Sequence, residues 1–402
     1  MLVEETQRQP IYNIPSIRNY QWSTHLDLLR GLASLLVFIG HMRLLLFVEY
    51  SEISNPNFLI KRLNSLTGLG HQAVMIFFVL SGFFISASVL RTIQQNKWSW
   101  INYIITRLTR LYIVLIPALL LSSFWDFLGI KIFGTGQDSF YGEKFHNGHL
   151  ATYKILENLT LQNFLGTIAF LQTIFVDLFG SNKAVWSLAY EFWYYILFPS
   201  IILFFCVKSL KLRIFYVGLT SSILLIVGSQ IRIYFLVWLM GALISVCPTS
   251  KYLNKKNILN SLSLLSILIL CIALTIERFL PSQQIADFLI GISTAVMIYL
   301  LVNNRSQIKQ ERAYEKFSKA LAGCSYTLYL VHMPILSFIR ACVIGDRPWE
   351  PDILHIFLAL NIVIFVFLYA VAIAHFTEAK TDKFRNIIMS WIKNASIPKS
   401  GN

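Results

Sequence analysis

Several apolar runs in this chain, 258–276 and 355–376 among them, are long enough to cross a lipid bilayer. Roughly 20 helical residues at ~1.5 Å each cover the ~30 Å of hydrocarbon. A backbone there has no water to bond, so each run must close its own hydrogen bonds as a helix. Many such runs are present, which excludes a soluble protein with a single anchor. Charged residues make up only 13% of the chain, against about a quarter in a soluble domain.

Ten spanning helices are expected, near 28–48, 71–90, 108–129, 186–206, 214–230, 231–247, 258–276, 285–302, 324–342 and 353–376. The fifth and sixth, at about 17 residues, sit at the short limit for a span. Residues 159–180 are apolar but carry Asn163, Gln172 and Asp177, and read as a re-entrant or interfacial element. The expected fold class is all-α: a polytopic transmembrane helical bundle of about ten spanning helices plus that element. Residues 26–378 form the membrane domain, 1–25 a cytosolic N-terminal segment and 379–402 a cytosolic tail.

The net charge of +14 does not make a nucleic-acid footprint, because the basic residues are parcelled out between apolar runs at alternate connections. That is the positive-inside pattern. With both termini cytosolic, roughly two thirds of the 34 basic residues fall on the inner side, strongest in the short loops where the rule has most force. The location implied is the cell (plasma or inner) membrane. The five cysteines, 206, 247, 271, 324 and 342, lie in or beside apolar stretches and read as small hydrophobes without a disulfide or metal framework. The first 25 residues are polar, so no cleavable signal peptide is expected and the first span directs insertion. The sizeable outer segment, 130–158, carries His146-x-x-His149. Nothing nearby completes a metal site, so a solvated loop is expected.

Ionisable residues within spans are costly and mark function by default. Arg30 and His41 are eleven residues apart in the first helix, which puts them on one face about 16 Å apart along the axis. Asp27 and Ser34 share that face. Ser81-Gly82 lies near the middle of the second span; a small pair there marks a close helix contact and would also let His41 approach. Arg107 and Arg110 open the third helix at the cytosolic side. They share a face and read either as positive-inside anchors or as a fork for phosphates. Trp186 opens the fourth helix, with Glu191 one and a half turns in. Ser325, Tyr329 and His332 share a face of the ninth helix. His41, Ser81 and His332 thus reach similar depths on three helices, as a shared cavity requires.

Together these motifs resemble the acyltransferase-3 family of membrane acyltransferases over about residues 25–380. The resemblance rests on Asp27 to Gly31, Arg30 with ten spacers before His41, Ser81-Gly82-Phe83, Arg107-x-x-Arg110, Trp186 to Glu191, and Ser325 to His332. Two positions depart from the family pattern. Tyr194 stands where Phe is frequent, and Glu378-Ala-Lys follows the last helix where many members have a Pro, so Glu378 receives little weight. With about 25 residues past that helix, the SGNH esterase-like domain of some relatives is not expected.

What the resemblance implies is O-acylation of a carbohydrate or glycolipid acceptor, with acetyl-CoA or another acyl-CoA as co-substrate, acetyl the expected group, and no metal. Arg30, Arg107 and Arg110 would take the CoA phosphates. His41 would deprotonate the acceptor hydroxyl or take the acyl group itself. Glu191 would orient the acceptor or stabilise charge on the imidazole. Asp27, Ser81, Trp186, Tyr329 and His332 would line the cavity. The competing classes are a transporter of a glycolipid or small anion, and a donor-binding sensor without turnover. Many transporters show paired Gly/Pro-broken segments in related halves, which are missing here, and a sensor has no need of His41.

Overall fold

A computed structural model describes residues 21–53, 56–136, 139–142, 154–247, 256–276, 279–304, 312–344 and 347–395. His146 and His149 lie outside the described residues. The helices are α1 (Gln21–Leu46), α2 (Phe58–Thr67), α3 (Gly70–Gln94), α4 (Trp100–Phe133), α5 (Ile155–Asn158), α6 (Leu161–Ile168), α7 (Trp186–Cys206), α8 (Leu210–Ile226), α9 (Ser229–Ile244), α10 (Lys256–Ile276), α11 (Gln283–Asn303), α12 (Arg312–Gly323), α13 (Ser325–Val343), α14 (Ile353–Phe376) and α15 (Thr381–Ala395).

Every one of the ten expected spans is helical, and the architecture is a polytopic helical bundle. Among the described residues, eight helices are long and apolar enough to cross a membrane. The expected fifth and sixth spans are the short ones, α8 with 17 residues and α9 with 16. Residues 159–180, expected as a re-entrant or interfacial element, hold no helix of spanning length. There α6 is eight residues long, about 12 Å, and then turns back through Phe170 and Thr173, both at positive φ. The third span begins earlier than the sequence indicates. Ser99 caps α4 by accepting a hydrogen bond from Asn102 N, so Arg107 and Arg110 do not open the helix but stand two to three turns inside it, by roughly 3.6 residues per turn.

Large apolar side chains point outward, as lipid rather than water demands: Phe205, Leu225, Phe357 and Leu368 are all exposed. Helix α14 buries only Ala359, Val366, Ala370 and Ala374, a narrow stripe of small and β-branched residues set against α13. At the centre α3 packs against α9, α1, α11 and α7. Its contact with α9 is close because two glycines meet it. A Cβ at Gly82 would stand 2.0 Å from the Trp238 carbonyl oxygen, and one at Gly241 1.9 Å from that of Val79. Backbone cannot yield as a side chain does. Gly82→Ala is therefore expected to cost about 1–3 kcal/mol or more by overpacking. The melting temperature of the detergent-solubilised variant checks this, and a value equal to wild type would refute it.

Prolines inside the helices place the polar groups that matter later. A proline has no N–H for the carbonyl four residues before it. Pro199 leaves the Tyr195 carbonyl without its helical partner, and Tyr103 OH donates to that oxygen at 3.0 Å. Pro334 does the same to Leu330, whose carbonyl accepts from Asn182 Nδ2 at 2.8 Å. The first bond ties α4 to α7. The second pins the segment entering α7 onto α13, two residues from His332.

Candidate active site

Two histidines meet inside the bundle. His41 of α1 and His332 of α13 stack with ring centroids 5.1 Å apart and planes 12° off parallel. His41 Nδ1 lies 2.8 Å from His332 Nε2, and His332 Nδ1 lies 2.8 Å from the Leu328 carbonyl oxygen. Chemistry assigns the protons in the neutral pair. A carbonyl only accepts, so His332 Nδ1 carries a hydrogen and donates. His332 Nε2 then holds a lone pair, and His41 Nδ1–H donates to it. His41 Nε2 is left with its lone pair. His332 is fully buried while His41 keeps partial access, so the reactive nitrogen belongs to the ring that a substrate can reach. Tyr329 stands edge-on to His332 at 6.3 Å and shares a 2.7 Å hydrogen bond with Ser187.

Glu191 anchors a second group. Its Oε1 accepts from Ser81 Oγ at 3.0 Å and, by a short bond, from Tyr195 OH. Trp238 Nε1 donates to Ser81 Oγ at 3.2 Å. Ser81 therefore serves Glu191, where the sequence had placed it beside His41. The small residue that makes the close contact is Gly82, against α9.

The arginines converge from two helices. Arg107 lays its guanidinium over the rings of Tyr103 and Tyr195, at 5.4 and 5.9 Å. Arg110 is exposed although it stands well inside α4. The groups whose charge acts on it, Tyr195, Glu378, Glu191 and Tyr326, come from α7, α13 and the end of α14. Its exposed side chain is thus under the influence of groups from several helices. Arg30 lies within the fields of Arg110, Asp27 and Glu378. It sits 3.7 Å from Asp27 Oδ1 and donates to the Ala322 carbonyl at 3.1 Å. Gly31 makes that approach possible, since a Cβ there would stand 2.4 Å from Leu321 Cγ. Among the described residues, the buried Nε atoms of Arg30 and Arg107 have no acceptor. Ser34, on the same face of α1, is satisfied locally by the Gly31 carbonyl at 2.9 Å.

Glu378, given little weight in the sequence, is tied to the start of α13. Its Oε2 accepts from Thr327 N and Thr327 Oγ1, both at 3.0 Å, and it stands in the fields of Arg110 and Arg30. The missing Pro was a poor guide, because the carboxylate works by capping the first turn of α13 beside the arginines. Trp186 is not part of the histidine pair; it stacks on His71 at 6.3 Å and 9°. The sequence passed over His71, which lies close to Asp287 of α11 across 216 positions. Each is at the start of its helix, where an ionisable residue draws no notice.

Apolar helices around polar and charged side chains define a polytopic helical membrane bundle. The family model described as an acyltransferase domain matches residues 24–375, nearly the whole bundle. The chain belongs to the acyltransferase-3 family and is a membrane acyltransferase. It is similar to an uncharacterized protein of Haemophilus influenzae, 27% identical over 266 residues, which span 58% of this chain and 98% of that one. No solved structure matches it.

Proposed function

We propose that this enzyme moves an acyl group, acetyl first among candidates, from cytosolic acyl-CoA to a hydroxyl of a sugar or glycolipid acceptor. The observation that carries the reading is the relay from the Leu328 carbonyl through His332 to His41, which leaves a lone pair on Nε2 of the partly exposed His41 ring.

In this reading the arginine end faces the cytosol and takes the phosphates of CoA. Arg30 and Arg110 repel each other, and an anion bound between them removes that cost. Arg107, held against two aromatic rings, adds a planar donor. The pantetheine arm lies along the bundle and brings the thioester to His41. His41 Nε2 takes the proton of the acceptor hydroxyl as its oxygen attacks the thioester carbonyl. The carbon–sulfur bond then breaks, and the departing sulfur takes that proton back from His41. His332 holds the ring in the productive tautomer throughout. Glu191 and Glu378 act as charge partners of Arg110, which orient the guanidinium and keep it from collapsing onto lipid-facing surface.

The test uses membranes with and without the protein, supplied with acyl-labelled acetyl-CoA, and follows label into glycan, lipid and small-molecule fractions. Protein-dependent covalent label in a hydroxyl-bearing fraction is expected. Uptake of label without a covalent product would replace this reading with the transporter.

A further inference from the structure

Four helices bring a second polar cluster together at the end of the bundle away from the arginines. Asp287 of α11 is fully buried, and three donors hold its carboxylate. His71 Nε2 of α3 lies 2.9 and 3.1 Å from its two oxygens, Tyr234 OH of α9 donates to Oδ2 at 3.0 Å, and Gln283 Nε2 donates to Oδ1 at 3.2 Å. A carboxylate only accepts, so His71 carries its proton on Nε2, and Nδ1 is the nitrogen left with a lone pair in the neutral ring. The His71 side chain is 34% exposed. Trp186 of α7, also partly accessible, stacks on it. Tyr190 and Phe78 meet the Trp186 ring edge-on at 5.0 and 6.2 Å and hold it upright.

We infer that His71, Trp186, Asp287, Tyr234 and Gln283 form the acceptor subsite, and that its ligand is a sugar ring. The inference rests on the acyl-transfer reading above. A pyranose offers an apolar C–H face and a rim of hydroxyls that donate and accept. Trp186 supplies a flat apolar surface, while His71 Nδ1 and the Gln283 amide supply an acceptor and a donor for the rim. An aromatic wall with a few fixed polar groups is how small polar ligands gain orientation in a pocket. Asp287 fixes the tautomer and ring plane of His71, so these groups are set before the ligand arrives.

Position supports the assignment. Gly70, next to His71, lies within 3.5 Å of where a Cβ on Gly40 would stand, and Gly40 adjoins His41. Ser187, next to Trp186, bonds Tyr329, which leans on His332. The cluster is thus level with the histidine pair. Arg30 lies about 16 Å away along α1, and Tyr195, under Arg107, about 13 Å along α7. Donor and acceptor then approach His41 from opposite ends of one polar track.

The purely structural alternative is that His71 and Asp287 only tie α3 to α11. His71→Gln separates the two, because a Gln amide N–H still donates to Asp287 and preserves the tie. Purified protein is assayed with acetyl-CoA against methyl glucoside, methyl galactoside and methyl N-acetylglucosaminide, and melting is followed in parallel. The expected result is an acceptor KM raised at least about tenfold in both His71→Gln and Trp186→Ala, with the acetyl-CoA KM and the melting temperature of His71→Gln held. Unchanged acceptor KM values, or acceptor and donor KM rising together with a fall in melting, would overturn the subsite. Wild-type transfer to a non-sugar hydroxyl alone would overturn the sugar assignment while leaving acyl transfer standing. Absence of any thiol release from acetyl-CoA would remove the acyl-transfer reading and this inference with it.

Discussion

His41→Ala is expected to lower kcat for acyl transfer by about 10²–10⁴-fold, the usual contribution of a positioned base, with the affinity for CoA unchanged. In the proposed mechanism the imidazole meets substrate, whereas Arg30, which would hold the donor, lies about 16 Å away along α1. His332→Ala acts through the same ring. It removes the acceptor of the His41 Nδ1–H, so His41 loses the bond that fixes its tautomer and its 2.8 Å register. A smaller drop in kcat is expected there. Adding it to His41→Ala should cost little more, since residues acting as a unit are far from additive. Steady-state rates of the two single variants and the double variant decide the matter. Turnover of His41→Ala within about threefold of wild type would remove His41 from the mechanism, and additive losses would separate the two rings.

Arg110→Ala is expected to weaken CoA binding by about 2–3 kcal/mol, the upper part of the range for hydrogen bonds to charged groups. That is roughly 30-fold or more in Kd. The loss is steep because Glu191 and Glu378 stay behind, both within the field of Arg110 and both then turned toward an anionic ligand. Arg110→Lys keeps the charge but not the planar fork, so an intermediate loss is expected. Equilibrium dialysis with labelled CoA reads both variants. Dephosphorylated CoA should lose less than CoA if the arginines grip the 3′-phosphate. If Arg110→Ala binds CoA as wild type does, the arginines are topology anchors and no more.

Glu378 and Arg110 show why sequence reading stopped where it did. Arg107-x-x-Arg110 is an ordinary positive-inside pattern when read along the chain. Its depth comes from Ser99, which starts α4 well before the apolar run begins. Glu378 follows a helix end and drew little weight because the Pro of many family members is missing after it. It acquires a role only because α13 begins beside it and offers Thr327 N and Oγ1. The His71–Asp287 pair joins the starts of two helices, and each residue falls within the first three positions of an expected span.

The sequence by itself determined the class of molecule. Apolar runs, their lengths and the parcelling of charge leave a helical membrane bundle, because hydrocarbon forces each segment to satisfy its own backbone. The spacing of Arg30 and His41 on one face followed from helix geometry alone. Only the tertiary structure decided which polar residue serves which. Ser81 bonds Glu191, His332 holds His41, and Asn182 takes up the carbonyl freed by Pro334. Each of these pairs two segments distant in the chain. Their register depends on where backbones can close, and here Gly82 and Gly241 bring α3 and α9 together. Helical periodicity specifies a face; packing chooses the partner.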